Sequence, residues 1–319
     1  MLAFFVRRAG TGLLIAFVVS LTVYALAPLA SGVDPAIAAL GGGDGLQLTQ
    51  EEIEASRHRL GLDRPFIVRY ADWAAHALQA DLGKSMFRDQ SVSHAIMDAL
   101  PVTLSIAGLS TLLAILISVP LGIWAAVRPN GLAARVITMI TAVSIATPSF
   151  AAGLILVRIL SLQLGWLPAV GYRPFSGETW DWLRSIILPS IALTIPAAGG
   201  LLRFMRSSMM DVLQRDYVRT AVGKGLPRRL VIWKHALKNA LIPVVTVLGL
   251  EVRVLLGGSV AVEAVFALPG MGTLAVNSIL QGDYPILLGT VMVAVVIVVL
   301  INMLVDLSYA LLNPKVRVL

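Results

Sequence analysis

"ALPVTLSIAGLSTLLAILISVPLGIWAAV", residues 99–127, runs for 29 positions without a charged side chain. Lipid offers the backbone no hydrogen-bond partner, so a crossing segment must satisfy its own groups as a helix of about 20 apolar residues. The stretch is therefore read as a membrane span. Comparable charge-free runs are Ala9–Val33, Val136–Val157, Ser185–Leu202 and Pro285–Val305. A further candidate, Asn239–Val262, is interrupted by Glu251 and Arg253. The expected fold is all-α, a polytopic membrane protein with about six transmembrane helices. Composition agrees: 57% of the 319 residues are hydrophobic and 13% charged, against about 25% charged in soluble domains.

Basic residues set the expected direction, because Lys and Arg in short loops stay cytoplasmic. Arg7 and Arg8 precede the first run, Arg128 and Arg135 join the second to the third, and Lys315 and Arg317 follow the last. Arg203–Lys238 holds nine basic residues against Asp211 and Asp216, whereas Glu263–Asp283 has no Lys or Arg. Both termini and 203–238 are thus expected in the cytoplasm, with 34–98 and 263–283 outside. The net charge of +7 is spread between apolar runs, which suits the inner membrane surface and its lipid, not nucleic acid. Without Cys, disulfides, thiolate nucleophiles and Cys-ligated zinc are excluded.

Arg7-Arg8, an apolar stretch and "ALA" at Ala25–Ala27 also fit a cleavable signal peptide. The run continues to Val33, longer than a usual signal core, which favours a retained span over 1–33. In the 34–98 loop, "GGGDG" (41–45) reads as a flexible stretch, and Thr49 with Glu52 three residues later as a capping box. That short helix should stop near Gly61, and "FIVRYADWAAHAL" should form a second one at the membrane interface. Pro101, Pro189 and Pro285 are expected to open spans. Pro120, Pro148, Pro196 and Pro243 should bend them. No internal repeat stands out.

Catalytic chemistry finds little support. His58, His76, His94 and His235 form no metal-binding pair, and "GKS" at 83–85 is preceded five residues earlier by Leu78, not the Gly of a phosphate loop. No catalytic residue and no metal site is assigned. Charges inside spans are costly and usually functional, so Arg158, Glu251 and Arg253 are candidates for a translocation path. The plainer reading, structural pairs between spans or the two Arg snorkelling to the outer surface, is favoured over it. Asp306 reads as a helix-packing or surface residue.

The basic segment "DYVRTAVGKGLPRRLVIWKHALKNALIPVV" (216–245) reads as helix, break, helix. "MMDVLQRDYVRTAVGK" has helical spacing, Gly225 is a stop and Pro227 a start. Anionic lipid would account for its Arg and Lys, but a Gly-centred break flanked by small residues such as Ala221 and Gly223 suits close approach by a protein partner.

These residues resemble the permease subunits of ABC importers, specifically the first membrane subunit of dipeptide, oligopeptide and nickel systems. That family carries a cytoplasmic pattern of Glu-Ala-Ala, three residues, then Gly. Here Ala221 and Gly225 match, while Arg219 and Thr220 replace the first Glu and Ala, a departure shared by peptide-type members. "LGLDRPFIVRYADW", "DLGKSMFRDQSV", "LGWLPAVGY", "VEAVFALPGMGTLAV" and "LVDLSYALLNPKVR" resemble the same subfamily in the same order, covering essentially the whole chain.

The resemblance implies a type I ABC importer transmembrane domain, with the permease core over 99–319 and the coupling loop within 203–238. Tyr217, Ala221, Gly225, Leu226 and Arg229 would dock on a separate ATPase, which binds the ATP and Mg that this chain does not. Implied partners are a second homologous permease, one or two ATPase subunits and an extracytoplasmic binding protein. The implied place is the bacterial cytoplasmic membrane. Peptides are the favoured cargo, with nickel chelates, glutathione or another small solute as alternatives. An ion-driven secondary transporter and a membrane enzyme are the rival classes.

Overall fold

The computed structural model describes residues 2–31, 34–40, 48–87, 89–175 and 178–312. The side chains of Arg7 and Arg8, the "GGGDG" stretch, and Lys315 with Arg317 lie outside what is described. The described residues are helical apart from loops and one isolated bridge between Lys84 and Ser91. Among the described residues five helical stretches are long and apolar enough to cross a membrane: Gly10–Pro28, Val92–Val127, Thr179–Leu213, Arg228–Val265 and Tyr284–Ser308. A sixth candidate is a broken pair.

That pair corrects the expectation for Val136–Val157. Helix α6 (Leu132–Ala146) and α7 (Ser149–Leu156, continued as a π-helix to Gln163) meet at a bend of 103°. Thr147 is extended at φ −88°, ψ 117°, because the ring of Pro148 disfavours the α conformation in the residue before it. The expected bend is a near-right-angle break.

Pro101 and Pro189 do not open spans. Helix α5 (Val92–Val127) begins nine residues before Pro101, and α8 (Thr179–Leu213) ten before Pro189. Each proline removes one backbone bond, and the preceding turns are held by burial of Val92, Ala95 and Ile96 in α5 and of Ile186 and Leu188 in α8. Pro285 does sit in the first turn of its helix, α13 (Tyr284–Leu312).

The chain divides into two compact units. One gathers the described parts of Met1–Val102 and Pro269–Val299. In it α1 (Leu2–Ser31) sets Tyr24 edge-on to Phe66 and Tyr70 of α4 (Phe66–Leu78). The Ser20 and Tyr70 hydroxyls share a hydrogen bond of 2.7 Å. Helix α2 (Pro35–Ala38) leans on α3 (Gln50–Arg59), whose Thr49–Glu52 capping box forms as expected. Helix α12 (Met271–Gln281) ends at Gly282 in the left-handed region. After it, buried Asp283 accepts from the Ser85 hydroxyl and the Met86 N–H.

The second unit covers Thr103–Leu268 and the described part of Leu300–Leu319. Helix α8 is its centre, and most of its apolar stretch is buried. It runs parallel to α5, joined by the Ser110 hydroxyl to the Ser190 carbonyl at 3.0 Å and the Ser118 hydroxyl to the Ala198 carbonyl at 2.8 Å. Small residues allow this approach, as in membrane helix packing generally. A methyl at Gly122 of α5 would lie 2.8 Å from Met205 of α8, and in the neighbouring contact of α8 with α6 one at Gly199 would lie 2.9 Å from Ser144. Helix α11 (Leu237–Val265) also packs on α8.

Candidate functional site

The basic segment breaks twice. Helix α8 stops at Leu213, and α9 (Asp216–Gly223) starts after Arg215 turns extended at φ −70°, ψ 146°. The long helix expected over "MMDVLQRDYVRTAVGK" is therefore two. The break at Gly225 forms at φ +77°. There Leu226 N–H donates to the Ala221 carbonyl at 3.3 Å and Gly225 N–H to the Val222 carbonyl at 2.9 Å, the six-to-one and five-to-two bonds of a Schellman ending. Pro227 follows in extended conformation and starts α10 (Arg228–Leu230), which runs through a π-helical turn, Val231–Ala236, into α11.

A small apolar core holds this corner. Val218, Ala221 and Val231 are buried together, with Val212, Leu213 and Leu226 packed against them. Leu226 closes on Ala221, the hydrophobic contact that accompanies this type of helix end. Ala221 thus faces inward. Tyr217 is 44% exposed and accepts a hydrogen bond from the Asn239 amide at 3.0 Å. Arg229 is exposed, and the space beside Gly223 and Gly225 is open. Val222 at 57% and Trp233 at 55% exposure add apolar surface that sequence reading passed over; only folding shows that the segment's own core leaves them outside.

The intramembrane charges do not converge. Arg158 is exposed on the π-helical end of α7, and Glu251 and Arg253 are half-buried on α11. Among the described residues no ion pair joins these three. Glu251 instead lies against Gly200 of α8, where a Cβ would meet its Oε1 at 2.6 Å. It opens on a cavity of about 220 Å³ shared with Ser149, Pro196 and Gly258. Twelve residues on, Glu263 is fully buried; its Oε1 accepts from the Thr103 hydroxyl at 2.8 Å and the Ser259 hydroxyl at 3.1 Å. Neither this buried acid nor Asp283 is visible as such in the sequence, because Thr103 for the first, and Ser85 with Met86 for the second, are distant in the chain.

A larger cavity of about 480 Å³ lies between the end of α7 and the start of α8, beside Tyr172, Arg173, Asp181 and Arg184. Arg173 pairs with Asp181 at 2.7 Å, and Arg184 donates to the Trp166 carbonyl at 3.0 Å. No three His, Asp or Glu among the described residues are grouped to hold a metal ion.

The chain is similar to known proteins along its length. Residues 118–318 match the family described as "Binding-protein-dependent transport system inner membrane component", and residues 1–107 match its N-terminal counterpart. The "Putative peptide transport system permease protein" of Brucella abortus (strain 2308) is 38% identical over 317 residues, 99% of both chains. The oligopeptide transport system permease protein AppB of Bacillus subtilis (strain 168) is 39% identical over 274 residues, 85% of this chain and 87% of its own. A solved inward-facing structure of the MetNI methionine ABC transporter superposes with a TM-score of 0.57 at 17% identity. It covers 68% of this chain and 96% of its own, which shows a shared fold.

Proposed function

Because this chain belongs to the binding-protein-dependent transport system inner membrane components, we propose that it is the permease subunit of an ATP-driven importer of di- and oligopeptides. Its role in transport follows from the family; the cargo rests on the names of relatives such as the Bacillus subtilis oligopeptide permease. Nickel chelates, glutathione or another small solute are the alternative cargoes. Residues 99–319 form the permease core behind a first span in 1–33 and an outer loop in 34–98. The setting is the bacterial cytoplasmic membrane, with both termini inside.

In this reading one such chain supplies half of the path, a homologous permease the other half, and an outer binding protein delivers cargo. Docking falls to the 216–240 loop, where Tyr217, Gly225 and Arg229 face outward and Ala221 with Leu226 set the corner. ATP and Mg sit on separate ATPase subunits, whose closure moves the docked loop and biases the spans between two arrangements. Arg158 and Arg253 are proposed, with Glu251, to border the path. The observation that carries the docking proposal is the Schellman corner at Gly225, a rigid, open, left-handed turn beside exposed apolar side chains.

Gly225 gives the test. The left-handed region costs an L-residue about 1–2 kcal/mol, so Gly225→Val should deform the corner while the spans still fold. Purified with its partners in vesicles, that variant is expected to lose most ATP-driven uptake and to shed its ATPase. Intact assembly with unchanged uptake would refute the docking role.

A further inference from the structure

Two acids lie on α11, and they are treated differently by the fold. Glu263 has two hydroxyl donors and no access to solvent. Glu251 has no hydrogen-bond or ion-pair partner among the described residues, although it lies within the stretch Arg228–Val265 that is apolar enough to cross the membrane. A carboxylate in such a place is expensive and is retained where it meets a partner or a polar path.

The surroundings define what that partner is. The cavity at Glu251 is walled by small and apolar groups such as Ala197, Leu193 and Gly258, with the Ser149 hydroxyl as the other polar side chain. No Lys, Arg or His lines it. Gly200 leaves the space that the carboxylate uses, since even a methyl there would meet Oε1 at 2.6 Å. The volume, about 220 Å³, is far above the roughly 10–15 Å³ that holds one water.

We propose that Glu251 and its cavity bind a cationic group of the cargo, an organic ammonium of the kind a peptide N-terminus carries. This rests on the reading above that the chain borders a path for peptides. An apolar cavity that holds one carboxylate and no base attracts an ammonium and repels a carboxylate. The group is held by one charge in an apolar wall, so it can leave when the spans rearrange.

The test uses the complete transporter, purified with its partner subunits in nanodiscs. A hydrophobic carbodiimide modifies buried carboxyls, and mass spectrometry reads the rate at residue 251. The probe is dimethylbutylammonium, a tertiary amine that cannot be captured as an amide, with butanesulfonate as its anionic control, because a carboxylate would itself consume the carbodiimide. The ammonium is expected to slow modification at least fivefold and butanesulfonate to leave it unchanged. Equal rates with and without the ammonium, or equal slowing by both probes, would overturn the proposal.

In parallel, Glu251→Gln complexes are assayed for ATP-driven uptake of trialanine. A loss of about tenfold or more in kcat/KM with all subunits retained supports the cation site. Unchanged uptake, or loss of the partner permease on purification, overturns it, the latter by making Glu251 an interface residue. Protection by the ammonium in a wild-type complex that carries no trialanine would uphold the cation site and reject the peptide reading instead.

Discussion

Glu251 and Glu263 stand three turns apart on one helix, yet the regions around them follow opposite rules. At Glu263 the fold supplies Thr103 and Ser259 as donors and excludes solvent. At Glu251 it supplies a glycine, a proline and empty volume. An acid that a fold surrounds with donors is part of the structure, whereas an acid left facing a cavity is held for something that comes and goes.

Replacing each acid by leucine separates the two most sharply. Glu263→Leu leaves two hydroxyls without their shared acceptor and should cost about 1–3 kcal/mol, one interhelical bond from Thr103 of roughly 0.6–1.7 and one bond within α11 from Ser259 of about 1. Glu251→Leu loses no bond and removes a charge that mid-membrane insertion penalises, so it should stabilise by up to about 3 kcal/mol. Thermal unfolding of the purified complex in detergent reads both, and shifts of the same sign would dissolve the contrast. The serines repeat the comparison at smaller scale. Ser259→Ala should cost about 1 kcal/mol, while Ser149→Ala should leave unfolding unchanged in the same assay.

Glu52 marks the third and mildest case, fully exposed at the start of α3. The Thr49 N–H and hydroxyl both donate to its carboxylate and hold its pKa below the usual value of 4.5. A depressed folded pKa means that this cap is present above the ordinary carboxylate range and is lost as pH falls through the lowered value. Amide exchange at the first turn of α3 should therefore rise in acid, and Glu52→Gln should flatten that rise. An unchanged pH profile in the variant would show that the cap does not depend on the charge.

Sequence reading reached far where a local rule decides the outcome. The charge-free runs mark the apolar helices, Thr49 and Glu52 mark a cap, and Gly225 with Pro227 marks a corner whose bonds form as such residues dictate. It stopped where distant neighbours decide. Pro101 and Pro189 read as helix starts because nothing local reveals the buried turns before them. The break at Gln214–Arg215 carries no Gly or Pro to announce it. Glu263 passed as a loop acid because its donor Thr103 is 160 residues away. Ala221 was legible as small, but its inward direction depends on Val218 and Val231.

The serine bridges between α5 and α8 also limit how that part of the protein can move. Residues 110 and 118 meet 190 and 198, so both helices advance eight positions, about 12 Å, between one bridge and the next. Sliding one helix along the other by a single residue would break both bridges together. Over that stretch the pair is braced as a strut that tilts or shifts as one piece, so a displacement entering where α8 ends at Leu213 is passed to α5 as well as along α8, itself about 50 Å long.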